Sequence, residues 1–116
     1  MDEDDRLVKA LAYANYKATI VQQRENLKLR YANGLLYPHN GGIFTVTPAL
    51  LAMADLLIRQ EVGQTVLIDD KGLPIRIDDL SEFFSNIISV YAEASNEYLL
   101  AWEALRKARS VDSAVQ

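Results

Sequence analysis

Apolar side chains recur along this chain in two helical rhythms, separated by a stretch that follows neither. From Asp4 to about Ala32, Leu7, Leu11, Ala14, Ala18 and Val21 fall at three- and four-residue spacing, which places them on one face of a helix. The stripe then passes to Ile20, Leu27 and Tyr31, so the predicted buried face drifts around the rod. The acidic opening suits the positive end of the helix dipole, while Arg24, Lys28 and Arg30 suit the negative end. Asn33-Gly34 stops the helix, because both residues tolerate the left-handed conformation that closes helices.

The second rhythm is the clearest. Leu80, Phe84, Ile87, Tyr91, Ala94, Tyr98, Ala101, Leu105 and Ala108 alternate steps of four and three, predicting a helix over 79–109 and a frayed tail over 110–116. Asp78 or Asp79 can cap its start, with Glu82 in the first turn and Arg106, Lys107 and Arg109 in the predicted last turn. At 1.5 Å per residue, each long helix would measure about 45 Å.

Between the two, Pro38 and Gly41-Gly42 break any helix, so residues 34–46 read as a loop ending in a short strand, Ile43–Val46. Thr47-Pro48 reads as an N-cap and a first helical position. The helix that follows, over 48–61, stops at Gly63. Its apolar residues (Leu50, Leu51, Met53, Ala54, Leu56, Leu57, Ile58) cover most of its circumference, which predicts burial on several sides at the centre of the core. Residues 65–77 read as a hairpin, Thr65–Ile68 and Pro74–Ile77 flanking Asp69-Asp70-Lys71-Gly72. Pro74 cannot donate to a ladder, so its strand should pair on one side only near its start. The expected fold is α+β and mostly α, one domain over 1–116. Two long antiparallel helices would enclose in sequence a short buried helix and a small β-hairpin of two or three strands. That layout would set the acidic start of the first helix beside the basic end of the last. Surface ion pairs contribute only about 0–1 kcal/mol each, so the heptad stripe has to carry the stability.

Composition narrows the function classes. The 116 residues suit one domain, and 50% hydrophobic content argues against disorder of the whole. No apolar run reaches the roughly 20 residues needed to span a bilayer. Met1-Asp2-Glu3-Asp4-Asp5 is the opposite of a signal or transit peptide. The absence of cysteine excludes a disulfide framework, a thiolate metal site and a cysteine nucleophile. A net charge of −4 disfavours a dedicated binder of nucleic acid or anionic membrane. A soluble, cytoplasmic protein is expected.

Candidate chemistry is sparse. His39, the single histidine, lies in Tyr37-Pro38-His39-Asn40-Gly41-Gly42 with no serine or cysteine beside it. Double glycine makes that loop the best small-ligand candidate, although Asn40-Gly41-Gly42 reads better as a tight turn. A phosphate cradle fails, because a strand intervenes before the next helix and no lysine occurs between Lys28 and Lys71. Asp69-Asp70 and Asp78-Asp79 suggest paired carboxylates, but one strand of about 3.3 Å per residue sets them about 13 Å apart. Paired glycosidase carboxylates lie roughly 5–9.5 Å apart, so turn and capping roles fit better. No catalytic residue, cofactor or metal is expected, and the chain reads as a non-enzyme.

Surface is the stronger signal. Beside its seam the last helix carries a second apolar row, Phe83, Ile88, Leu99 and Trp102, with Tyr98 adjoining it. One facing helix covers only a narrow stripe, so these five residues are the candidate interface for a homo-oligomer or a protein partner. The alternative is a regulatory or nucleic-acid-associated module using two basic clusters, Arg24, Lys28 and Arg30 with Arg106, Lys107 and Arg109. An antiparallel pair would hold these clusters at opposite ends of the rod, which argues against a continuous phosphate track in one copy.

Two stretches carry a resemblance: Tyr31-Ala32-Asn33-Gly34 through Gly41-Gly42-Ile43-Phe44, and Val66-Leu67-Ile68-Asp69 through Tyr91 with Asn96-Glu97-Tyr98. They resemble small uncharacterised proteins of T4-like tailed phages that infect cyanobacteria. The resemblance implies a phage-encoded protein of the infected host cell or virion, in particle assembly or as an accessory factor. It carries over no functional residues.

Overall fold

Seven elements follow one another: α1 (Glu3–Gly34), β1 (Leu36–His39), β2 (Gly42–Thr45), α2 (Pro48–Arg59), β3 (Thr65–Ile68), β4 (Pro74–Ile77) and α3 (Leu80–Val115). The computed structural model describes the backbone of residues 3–115 and the side chains of residues 3–108. The fold is α+β and mostly α, with two small antiparallel hairpins and a short helix between the long helices α1 and α3. It measures 74 × 26 × 18 Å. The hairpins, α2 and the first turns of α3 form a head. The rest of α3 and α1 form an antiparallel stalk, registered by Tyr31 at Ser95 and Arg24 at Trp102.

The head is built on α3. Phe44, Val46, Ala54, Ile75, Ile77, Leu80, Phe83 and Ile87 form its buried cluster. Phe83 sits at the centre, its ring meeting Phe44, His39 and Tyr37 edge-on at centroid distances of 5.4, 5.2 and 5.7 Å. The helix expected at the centre of the core is instead covered on one side. In α2 only Ala54 is buried, while Met53 and Leu56 are 50% and 54% exposed. Its other neighbours are too small and too few: two-stranded hairpins on one flank cannot enclose a helix that is apolar nearly all round.

Residues 34–46, expected as a loop with one short strand, form a complete hairpin. Leu36 pairs with Thr45 and Pro38 with Ile43. Asn40 and Gly41 both take positive φ, 47° and 82°, as a two-residue hairpin turn requires. The second hairpin pairs as expected, Thr65 with Ile77 and Ile68 with Pro74.

The two hairpins are not continuous through their ladders; the turn of the second is bonded to the outer edge of β2. The Asp70 N–H donates to the Ile43 carbonyl at 2.9 Å, and the Ile43 N–H donates to Asp69 Oδ2 at 3.0 Å. Asp70 accepts from both the N–H and the hydroxyl of Thr45. Asn40 Nδ2 donates across to the Arg76 carbonyl. An edge that would otherwise offer free backbone groups is thereby occupied. Gly42 is needed for this approach, since a Cβ there would lie 2.5 Å from Ile75 Cγ1.

Local signals account for the boundaries of α2 and α3. Thr47 Oγ1 accepts from the Leu50 N–H, and Asp79 Oδ1 accepts from the Glu82 N–H. Thr47→Ala is expected to cost about 1 kcal/mol. The check is a lower urea midpoint with an unchanged slope.

Both long helices run past their expected ends, to Gly34 and Val115. Arg30 therefore falls short of the last turn of α1, and Arg106, Lys107 and Arg109 are interior to α3. The register of the stalk does not set the acidic opening beside the expected basic end: Arg106 and Lys107 lie near the level of Arg24. The register set at the head carries Glu3, Asp4 and Asp5 beyond the end of α3.

Candidate functional site

The stalk holds the basic candidates and most of the candidate interface residues, but not Phe83. Phe83 was expected in an exposed row and is instead fully buried. At this height α3 is surrounded by both hairpins and α2, so residues outside the heptad seam are also covered. Ile88 and Leu99 are 43% and 52% exposed, and Tyr98 and Trp102 are half-buried.

The half-buried residues form an aromatic ladder along the groove between α1 and α3. Tyr31 meets Tyr98 edge-on at 4.9 Å, and Tyr98 lies parallel to Trp102 at 6.5 Å. The Arg24 guanidinium stands over the Trp102 ring at 5.5 Å. Tyr31 and Ser95 share a hydroxyl hydrogen bond of 3.2 Å. Such pairs hold the helices at fixed height, and the cation–π contact lets an arginine sit within an aromatic face. Spacing in the sequence placed Tyr31 and Tyr98 on seams; the role of Arg24 was not visible, since a cation on a helix reads as solvated.

The two basic clusters do not occupy opposite ends. Arg24 and Arg106 line one groove with Trp102 and Leu105, and Lys28 lines the next with Tyr31, Ser95 and Tyr98. The two helices are staggered: the head takes the first turns of α3, so the end of α1 meets α3 near Ala94 and Ser95, and Arg24 falls at the level of Trp102 and Arg106. Acidic groups interrupt this surface: Lys28 pairs with Glu25 at 3.3 Å, and Glu97 lines the same crevice as Arg30. The Arg109 side chain lies outside the described residues.

Enclosed space along the stalk is small. The crevice among Leu27, Arg30, Tyr31, Ala94, Glu97, Tyr98 and Ala101 holds about 20 Å³, room for a water and little else. The other hollows of the stalk are open grooves of about 260–360 Å³.

The remaining candidates sit in the head as structural parts. His39 stacks on Tyr37 at 5.9 Å and against Phe83, so the Tyr37–Gly42 segment is a packed hairpin. Asp69 and Asp70 bind the hairpins together, Asp78 lies 3.7 Å from Arg76, and Asp79 caps α3. Among the described residues no three His, Asp or Glu side chains gather as a metal set. No helix among them is long and apolar enough to cross a membrane.

One exposed apolar row was read in sequence as a buried face. Leu7, Leu11 and Val21 are 59%, 55% and 57% exposed, and no described residue of α1 is buried. The face of α1 that meets α3 is the other one, the half-buried Tyr16, Ile20, Arg24, Leu27 and Tyr31. No family model, curated protein or solved structure matches this chain.

Proposed function

We propose that this protein is a non-enzymatic structural, assembly or accessory factor that acts by helix-mediated self-association. The phage resemblance of its sequence suggests particle assembly or an accessory role in the infected cell as the setting. The observation that carries the reading is surplus surface. The chain exposes 8403 Å² at 13.0 kDa, against about 6,300 Å² for a compact monomer of that mass. Its radius of gyration is 21.7 Å, against about 13 Å for a compact domain of this length. Much of the surplus is apolar and lies on the stalk, where Leu7, Val8, Leu11, Val21, Leu29, Leu99 and Leu100 are all exposed. Exposed apolar surface of this extent marks contact sites. Light scattering is expected to give at least twice the chain mass at micromolar concentration. A monomer at high micromolar concentration overturns the reading.

A second reading is supported by one observation, the meeting of Arg24 and Arg106 beside Trp102. Cations flanking an aromatic face suit a nucleic-acid backbone and base. Glu25 and Glu97 weaken the field on the same surface. Salt-sensitive DNA binding would favour this module; a stable oligomer that binds no DNA in 50 mM salt would eliminate it.

A further inference from the structure

We infer that the open side of the aromatic ladder, at Tyr98 and Trp102, stacks the bases of a single-stranded nucleic acid whose phosphates are held by Lys28, Arg24 and Arg106. This rests on the second reading above, the nucleic-acid-associated module, and gives it a site and a form of ligand.

Tyr98 and Trp102 stand one turn apart on α3, parallel to within 6° and with centroids 6.5 Å apart. Helix α1 braces both rings. The Tyr31 ring meets Tyr98 edge-on at 4.9 Å, and the Arg24 guanidinium stands over Trp102 at 5.5 Å. Tyr31 is fixed in turn by its hydroxyl bond to Ser95. Packing of one helix on the other accounts for those contacts. It does not account for the side of the rings that α1 leaves open. There, among the described residues, Tyr98, Leu99 and Trp102 line a hollow of about 290 Å³ to which α1 contributes nothing. Both rings are half-buried, and Leu99 between them is 52% exposed. Rings already held parallel present faces of one orientation, so flat groups can lie against them with little ordering of side chains on binding.

Charge selects the guest. The hollow is the middle one of a row: Lys28, Tyr31, Ser95 and Tyr98 line the one before it, and Arg24, Trp102, Leu105 and Arg106 line the one after. Neighbouring hollows share a ring, Tyr98 or Trp102, so they make one trough along about 16 Å of α3. The lining includes three cations and no carboxylate, in a chain of net charge −4. Glu25 reaches Lys28 at 3.3 Å, but both side chains are more than half exposed. Such a pair is worth at most about 1 kcal/mol, so a phosphate can take the place of the carboxylate. Glu97 belongs to the adjoining crevice, with Arg30. Flat groups on aromatic faces and phosphates on the flanking cations are how proteins hold a single strand. A duplex keeps its base faces stacked on one another, and a free nucleotide would fill one hollow of the row. The net charge opposes a polyanion at long range, so these contacts have to supply the binding.

Trp102 is the single tryptophan of the chain, so its emission reports on this site alone. An oligothymidine of about 12 nucleotides, titrated into the full chain in 50 mM salt, should quench that emission as the anisotropy of a labelled strand rises. Three phosphate contacts predict a slope of log K against log salt of about −2, which Arg106→Gln should reduce by about 0.7. Arg59→Gln, which removes an exposed cation of the head, should leave slope and affinity unchanged. Trp102→Leu should weaken binding about five-fold or more, while Trp102→Phe, which keeps a ring, should retain most of the affinity. Far-ultraviolet circular dichroism checks each variant, and the quenching of the parent chain needs no variant. Binding that leaves the Trp102 emission undisturbed overturns this site, while the nucleic-acid reading stands. Equal losses for Arg59→Gln and Arg106→Gln have the same meaning. A duplex of the same length bound as tightly, or thymidine monophosphate quenching at the same concentration, overturns the single-stranded form. No binding in 50 mM salt overturns both the site and the reading it rests on.

Discussion

Phe83→Ala is expected to destabilise the head by about 3–5 kcal/mol, the range for removing a fully buried aromatic ring. Its ring is the one surface that Tyr37, His39 and Phe44 share, so β1 and β2 rest on α3 through it. Its removal leaves a cavity at the junction of three elements. The small hairpins cannot close that cavity, because each is held by its turn and by the Asp69 and Asp70 bonds. A domain of this size commonly has about 5–15 kcal/mol of stability, so the variant should lose a fifth of it or more. The measurement is the urea midpoint followed by circular dichroism. Leu99→Ala, on the same helix but half exposed, should stay within about 0.5 kcal/mol of the parent. Equal shifts for the two variants would contradict a core centred on Phe83.

Those two residues also show what the sequence discloses. Both stand beside the heptad seam of α3, and periodicity gives them the same standing. What separates them is the height at which α3 leaves the head, a fact of tertiary structure. Before that height Leu80, Phe83 and Ile87 make a second run of threes and fours that is buried; after it, only one helix is left to cover α3. Helix existence was legible, because spacing and caps are local: Thr47, Asp79 and the turn at Asp69–Gly72 fall where the chemistry of those residues puts them.

Partner assignment was less legible. The stripe Leu7 to Val21 is the most regular apolar pattern of α1 and reads as its buried face. The face that α3 covers contains Tyr16, Arg24 and Tyr31, whose polar tips mask the buried parts of their side chains. Pattern strength reports that a face will meet something, and it does not say what. Strand β1 was missed for a related reason, since Leu36-Tyr37-Pro38-His39 lacks strand composition. Asn40-Gly41 between two four-residue runs was the available signal, and its two positive φ angles carry the hairpin. The basic clusters were misplaced because the stagger of the helices is a tertiary fact: the head takes the first turns of α3, so the end of α1 meets α3 near Ala94 and Ser95 and Arg24 falls beside Trp102 and Arg106.

Acid should loosen the link between the two hairpins, and Asp69 should be responsible for part of that loss. Its carboxyl is held below the usual carboxylate range, first by the Leu73 N–H and then by the Ile43 N–H, with further help from the Lys71 N–H and charge; burial opposes the shift. Oδ1 accepts from Leu73 at 2.8 Å and Lys71 at 3.0 Å, and Oδ2 accepts from Ile43 at 3.0 Å. A group with a depressed folded pKa binds its proton more readily when unfolded. Its stabilising share is therefore complete above the unfolded value, about 3.9, and is lost as pH falls through the lower folded value. Asp69→Asn removes that dependence and introduces a fault at neutral pH. With the amide oxygen facing Leu73 and Lys71, the NH₂ faces the Ile43 N–H, donor against donor, and the bond to β2 is lost. The variant should have a lower urea midpoint at pH 7 than the parent, by more than Thr47→Ala lowers it, because the contact joins two hairpins. Between pH 5 and pH 3 its midpoint should fall less steeply than the parent's. Parallel pH profiles for the two proteins would show that the Asp69 charge does not hold the head together, and would leave Asp70 and its bonds to Thr45 to carry the junction.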